Sequence, residues 1–195
     1  EIELTGGYIN AVAPRGLTGA HVQFPSVTVG GTENILMAAT LARGETRLSN
    51  VAREPEVTDL AHCLVAMGAK IDGIGTDTLY IQGVDRLKGA NHSVLPDRIE
   101  AGSYAVAAII TGGNVLLRGA DMALMEGAVK LLTRAGGSFV EEPSGVRVSR
   151  ANGKLNGVDL MTEPFPGFPT DMQAQWMTLM TQASASSTIA ERIFK

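Results

Sequence analysis

Three stretches of this chain bring residues able to hold an anion or take up a proton to the start of a helix: Thr28-Val-Gly-Gly-Thr32, Leu95-Pro-Asp-Arg-Ile-Glu100 and Phe168-Pro-Thr-Asp-Met-Gln173. A helix N-terminus attracts negative charge, because its first amides lack intrahelical acceptors and its dipole turns its positive end outward there. In the first stretch Gly30 and Gly31 let the backbone approach a phosphate closely, and Thr28 and Thr32 supply hydroxyls. The same residues also suit an ordinary helix cap. In the second, Asp97 reads as N-cap and Glu100 as N3 of a capping box. Arg98, between them, is either an anion ligand or an exposed neighbour of the cap. In the third, Thr170 and Gln173 again have capping-box spacing. Asp171 is then either a carboxylate favoured by the dipole or a general base kept ionised by its place near a helix start.

Other chemistry is sparse. The single cysteine, Cys63, cannot close an internal disulfide and falls on an apolar helix face between Leu60 and Met67, as a core thiol. His21, His62 and His92 lack metal spacing, no CxxC, GxGxxG or GxxxxGK[ST] occurs, and no metal or cofactor is expected. Gly6-Gly-Tyr8 and Gly73-x-Gly75 read as turns, and Met122, Met125, Met172, Met177 and Met180 as core fillers. With 16 Lys+Arg against 20 Asp+Glu the net charge is −4, and no basic patch offers a nucleic acid its electrostatic footprint. The longest apolar run, 105–111, is far short of the roughly 20 residues that span a bilayer, and 1–7 has no signal-peptide character. A reducing cytoplasm is the expected compartment. The chain opens at Glu1 and stops at Phe194-Lys195 just after an apolar run, as a piece of a longer protein would.

The elements that must carry these residues recur. Leu36-Met-Ala-Ala-Thr-Leu-Ala-Arg-Gly44 is echoed by Ala105-Val-Ala-Ala-Ile-Ile-Thr-Gly-Gly113, Leu64-Val-Ala-Met-Gly68 by Leu132-Thr-Arg-Ala-Gly136, and a third copy starts at Gln173 and runs to Glu191. The period of about 70 residues is too long for a solenoid of 20–50. Each copy reads β-α-β-α-β-β, an α/β architecture. First helices are expected over 33–42 and 101–111, apolar all round and so buried on all sides. Strands are expected over 21–24, 46–50, 70–73, 78–82, 114–118, 138–141 and 146–149, and second helices start at Pro55 and over 126–135. The polar segment 83–93 reads as a linker, with a boundary near Leu95 dividing residues 1–94 from 95–195.

The strings Gly-Ala-His21-Val, Val-Thr-Val-Gly30-Gly-Thr, Ala-Arg-Glu-Pro-Glu56, Leu-Pro-Asp-Arg-Ile-Glu100-Ala-Gly and Phe-Pro-Thr-Asp-Met-Gln-Ala-Gln175, in this order, resemble the UDP-N-acetylglucosamine enolpyruvyl transferases along essentially the whole chain. The resemblance implies an inverse α/β prism: two halves, each of three β-α-β-α-β-β units, with substrates between them. This chain would be the middle of such a protein, ending one half and beginning the other. It further implies transfer of the enolpyruvyl group of phosphoenolpyruvate to the sugar 3-hydroxyl with release of phosphate, the first committed step of peptidoglycan synthesis. By that resemblance Asp171 contacts the 3-hydroxyl as a base, Ser26, Val27, Thr28, Val29 and Gly30 hold the uridine diphosphate, and Arg98 and Thr170 join the substrate contacts. Ser26 departs from the lysine often found there, leaving Thr28 and the 29–31 amides to carry more. The acid cysteine, an amino-terminal Lys-Asn pair and the anion-binding arginines would lie elsewhere in the parent, so residues 1–195 alone should be inactive. They should also self-associate through uncovered core faces. The sister activity on shikimate 3-phosphate and a non-catalytic scaffold are the competing readings.

Overall fold

Leu48, Leu79 and Ile81 are buried while Arg47 and Tyr80 beside them are exposed, the period-2 alternation of a sheet with one face covered. The computed structural model describes residues 2–151 and 153–194, and the chain divides into two units, Glu1–Ser93 and Val94–Lys195.

In the first unit, β1 (Ile2–Thr5) and β2 (Tyr8–Ala11) form a hairpin through Gly6 and Gly7, whose φ of 60° and 84° suit the positive-φ turn that matches strand twist. Then follow β3 (His21–Gln23), α1 (Val29–Ala39), β4 (Glu45–Ser49), α2 (Pro55–Ala66), β5 (Lys70–Asp72) and β6 (Thr78–Gln82). The sheet runs β3-β4-β6-β5, with β3 and β4 parallel across α1 and the other neighbours antiparallel. Register sets Leu48 opposite Leu79 and Arg47 opposite Tyr80, and the Arg47 guanidinium lies 5.5 Å from the Tyr80 ring centroid. Leu36, Leu48 and Ile81 are fully buried, each worth about 1.5–3 kcal/mol over exposure.

Two expectations need correction here. α1 starts at Val29, earlier than its apolar run, and is not enclosed, since Met37 stays 43% exposed. Only the face carrying Thr32, Leu36 and Ala39 is buried. Cys63 is half-buried and outside the core cluster, because Val57, Ala61 and Leu64 form the buried stripe of α2 and Cys63 lies one position off it. Residues 83–92, read as a linker, lie hydrogen-bonded along the first unit just before its end at Ser93: Gly83 and Val84 donate to the Gly44 and Thr40 carbonyls, Lys88 N–H donates to the Met67 carbonyl, and His92 Nε2 is 2.9 Å from Asp59 Oδ1.

The second unit holds α3 (Arg98–Thr111), β7 (Asn114–Arg118), a 3₁₀ turn at Met122–Met125, α4 (Glu126–Ala135), β8 (Gly137–Glu142) and β9 (Gly145–Arg150). Its sheet order, β7-β9-β8, repeats β4-β6-β5, but among the described residues no strand precedes α3, so this copy reads α-β-α-β-β and lacks the leading strand expected of it. After it come β10 (Leu160–Met161), a 3₁₀ turn at Thr170–Met172, α5 (Gln173–Met180) and β11 (Ile189–Ala190). β10 and β11 pair in parallel across α5 as β3 and β4 do across α1. Ile109, Leu132, Val146, Val148 and Trp176 fill the core, with Phe168 edge-on to Trp176 at 5.4 Å. Among the described residues, no helix is long and apolar enough to cross a membrane.

Candidate functional site

Thr28 begins α1 as an N-cap in extended conformation, its Oγ1 accepting from Gly31 N–H at 3.2 Å. Its carbonyl accepts both from the Thr32 amide at 3.1 Å and from the Thr32 hydroxyl at 2.7 Å. That hydroxyl also accepts from the Ala52 amide at 3.1 Å, tying the helix start to the approach to α2. Glycine is required at position 31, where a Cβ would stand 2.6 Å from Thr28 Cγ2, whereas space beside Gly30 is open. Ser26, Val27 and Gly30 are exposed and Thr28 and Val29 half-buried, so a rigid, accessible helix start is formed.

Behind it stands Asn50, which takes φ 59° and donates from Nδ2 to the Phe24 carbonyl at 2.9 Å. It fixes where the chain enters 25–28. Its only sequence signal is an asparagine at a strand end, a residue that tolerates left-handed backbone. Burial first, then the charges of Glu56 and Glu54, push the Glu33 carboxyl, farther along α1, upward from its ordinary value.

In the second unit Asp97 caps α3 as its spacing predicts, accepting from the Ile99 and Glu100 amides at 2.8 and 2.9 Å. Arg98 is not the exposed neighbour of that cap: it is 8% exposed, its guanidinium 6.0 Å from the Phe165 ring centroid. With Phe165, Pro169 and Met172 it lines a cavity of about 10 Å³, room for about one water. The cap turns the first helical residue inward, toward the 165–169 loop.

The Thr170 capping box does not form. Pro169 precedes a 3₁₀ turn, and the Thr170 hydroxyl donates instead to Glu191 Oε2 at 2.8 Å. Glu191 Oε1 accepts from the Thr162 hydroxyl at 2.9 Å and from the Ile193 and Phe194 amides at 2.6 and 3.1 Å. Burial is the largest single influence on this carboxyl and pulls its pKa upward, but the Ile193 amide, the two threonine hydroxyls and the Phe194 amide together outweigh it and lower the pKa to about 2. Asp171 is exposed on this turn and makes no side-chain hydrogen bond or ion pair among the described residues. The structure thus keeps Ser26–Gly30 in the first unit, and Arg98, Thr170 and Asp171 in the second. Glu191, missed from sequence, looks there like any polar residue following a short strand.

A sequence profile described as EPSP synthase (3-phosphoshikimate 1-carboxyvinyltransferase) matches residues 1–195. The chain is 63% identical over 195 residues to the UDP-N-acetylglucosamine 1-carboxyvinyltransferase of Paramagnetospirillum magneticum, covering 100% of this chain and 45% of that relative. It is 61% identical over 195 residues to the enzyme of the same name from Acidiphilium cryptum, covering 100% of this chain and 46% of the relative. The chain therefore spans just under half the length of the curated relatives it matches. The crystal structure of the enolpyruvyl transferase NikO from Streptomyces tendae superimposes with a TM-score of 0.85 at 21% identity, covering 98% of this chain and 48% of that one. That likeness establishes the fold, built from the repeated units described above.

Proposed function

Since the chain belongs to the EPSP synthase (3-phosphoshikimate 1-carboxyvinyltransferase) family along its whole length, we propose that it is the central portion of an enolpyruvyl transferase acting on UDP-N-acetylglucosamine and phosphoenolpyruvate. The observation that carries this choice of substrate is the 61–63% identity, over all 195 residues, to relatives named for that sugar nucleotide.

The reaction joins the sugar 3-oxygen to C2 of phosphoenolpyruvate while a proton adds to its methylene carbon. Loss of a proton from that carbon and of phosphate from C2 then restores the double bond. Asp171 accepts the hydroxyl proton, which suits an exposed carboxylate on a fixed turn. Ser26, Val27, Thr28, Val29 and Gly30 receive the diphosphate at the α1 start, where accessible amides and a hydroxyl meet the helix dipole. Thr170 holds the Asp171 turn, and Arg98 braces the adjoining loop through Phe165. The acid that protonates the methylene carbon and the cations for phosphate and carboxylate come from other parts of the protein. The product would feed peptidoglycan assembly in the cytoplasm.

Phosphate release by the full-length protein, with phosphoenolpyruvate and either UDP-N-acetylglucosamine or shikimate 3-phosphate as acceptor, tests this reading. Turnover is expected with the sugar nucleotide. Turnover with shikimate 3-phosphate alone would replace it by the sister activity, and none with either would leave the scaffold reading.

A further inference from the structure

We propose that Glu191 is a positioning residue: its carboxylate clamps Thr170 and thereby fixes the turn that presents Asp171. The inference rests on the reading of Asp171 as the proton acceptor and adds a residue to it. Its basis is the division of labour between the two Glu191 oxygens. Oε1 collects three donors, the Thr162 hydroxyl and the Ile193 and Phe194 amides, which anchor the carboxylate to its own strand and to β10's continuation. Thr162 is fully buried and its hydroxyl in turn accepts from the Arg192 amide at 2.8 Å, so the anchor is bonded from both strands. Oε2 accepts from Thr170 at 2.8 Å, directly before Asp171 in sequence.

The rest of the turn is held by weaker means. No side chain caps it at Pro169, and Asp171 itself has no side-chain bond among the described residues. Met172 packs into the core on the far side, against Gly102 of α3. The turn is thus pinned by an apolar contact after Asp171 and by a charge-assisted hydrogen bond before it. Release of the second lets the carboxylate wander while the fold persists. Misplacement of a catalytic group by about 1 Å can cost on the order of 100-fold in rate.

The test uses the full-length enzyme with four variants: Glu191→Ala, Glu191→Gln, Thr170→Val and the double Glu191→Ala/Thr170→Val. Glu191→Ala is expected to lower kcat by about 10- to 100-fold with KM for phosphoenolpyruvate unchanged. Glu191→Gln should recover most of the loss, because its amide oxygen can face the three donors while its NH₂ donates to Thr170. The double variant should be no slower than the slower single one, since both remove the same tether. If Glu191→Ala does not fold, adding Thr170→Val to Glu191→Gln carries the cycle: a rate loss there equal to that of Thr170→Val alone is expected, and one larger by the whole of the Glu191→Gln loss overturns the inference. Unchanged kcat in Glu191→Ala, or losses that multiply in the double, also overturn it. Asp171→Asn in the same assay separates the two levels. If Asp171→Asn is impaired and Glu191→Ala is not, this inference alone fails, whereas normal turnover in Asp171→Asn removes the reading beneath it.

Discussion

The Thr32 hydroxyl, 3.1 Å from the Ala52 amide and 2.7 Å from the Thr28 carbonyl, joins the start of one helix to the loop that leads into the next. Thr32 is fully buried and Ala52 is 2% exposed, so neither group has water as an alternative partner. Thr32→Val keeps the shape and removes both bonds. It should destabilise the protein by about 1–3 kcal/mol, the cost of a stranded buried donor, as read by chemical denaturation. A loss below half a kilocalorie would mean that the Ala52 amide finds another acceptor.

The two glycines of the α1 start should respond in opposite ways. Gly31→Ala forces a methyl into Thr28 Cγ2 and should destabilise, by about 1–3 kcal/mol as overpacking does. Gly30→Ala meets open space and should leave the melting temperature unchanged or raised. If the diphosphate lies against this backbone, Gly30→Ala in the full-length protein weakens sugar-nucleotide binding all the same. Calorimetry with unchanged affinity would place the nucleotide elsewhere.

Asp171→Asn in the full-length protein should lower kcat by about 10²–10⁴, the usual worth of a positioned acid or base. Stability should barely move, because the carboxylate is exposed and holds no partner among the described residues. A kcat within about threefold of wild type would withdraw the catalytic role.

Glu191 predicts a specific acid response. Its pKa falls from 4.5 to about 2 in the folded protein, so its stabilising contribution is present above the higher value and is lost as pH drops through the lower one. Glu191→Gln should therefore melt earlier than wild type at pH 6, and the gap should close as pH falls from about 4.5 toward 2. Parallel melting curves across that window would show that the carboxylate charge contributes nothing.

The hairpin of β1 and β2 leaves Ile2, Leu4, Tyr8 and Ile9 at least 71% exposed. Such a patch promotes association. A polypeptide of residues 1–195 should sediment as oligomers or aggregates, and a monomer with a cooperative melt would contradict this.

Sequence pattern located the elements closely where one signal dominated: β7 and α4 have the bounds that the Gly113 turn and the Gly136 stop suggest, and Asp97 caps as its spacing requires. It failed where two signals compete. Thr170 has the spacing of a cap, yet a carboxylate brought in from 21 residues later outbids the local amide. Arg98 has the composition of a surface residue, yet an aromatic ring on a distant loop covers it. Both misreadings come from partners remote in sequence, which no local window contains. Asn50 and Glu191 were illegible for the same reason.

The ladders of the two units share one further property. Among the described strands the most distant paired residues are Glu45 and Gln82, and every other pairing closes within a shorter loop. Loop closure that short is entropically cheap, and topologies of low contact order fold fast. During synthesis each repeat could complete its sheet soon after its last strand leaves the ribosome, before the next repeat exists to compete for its edges.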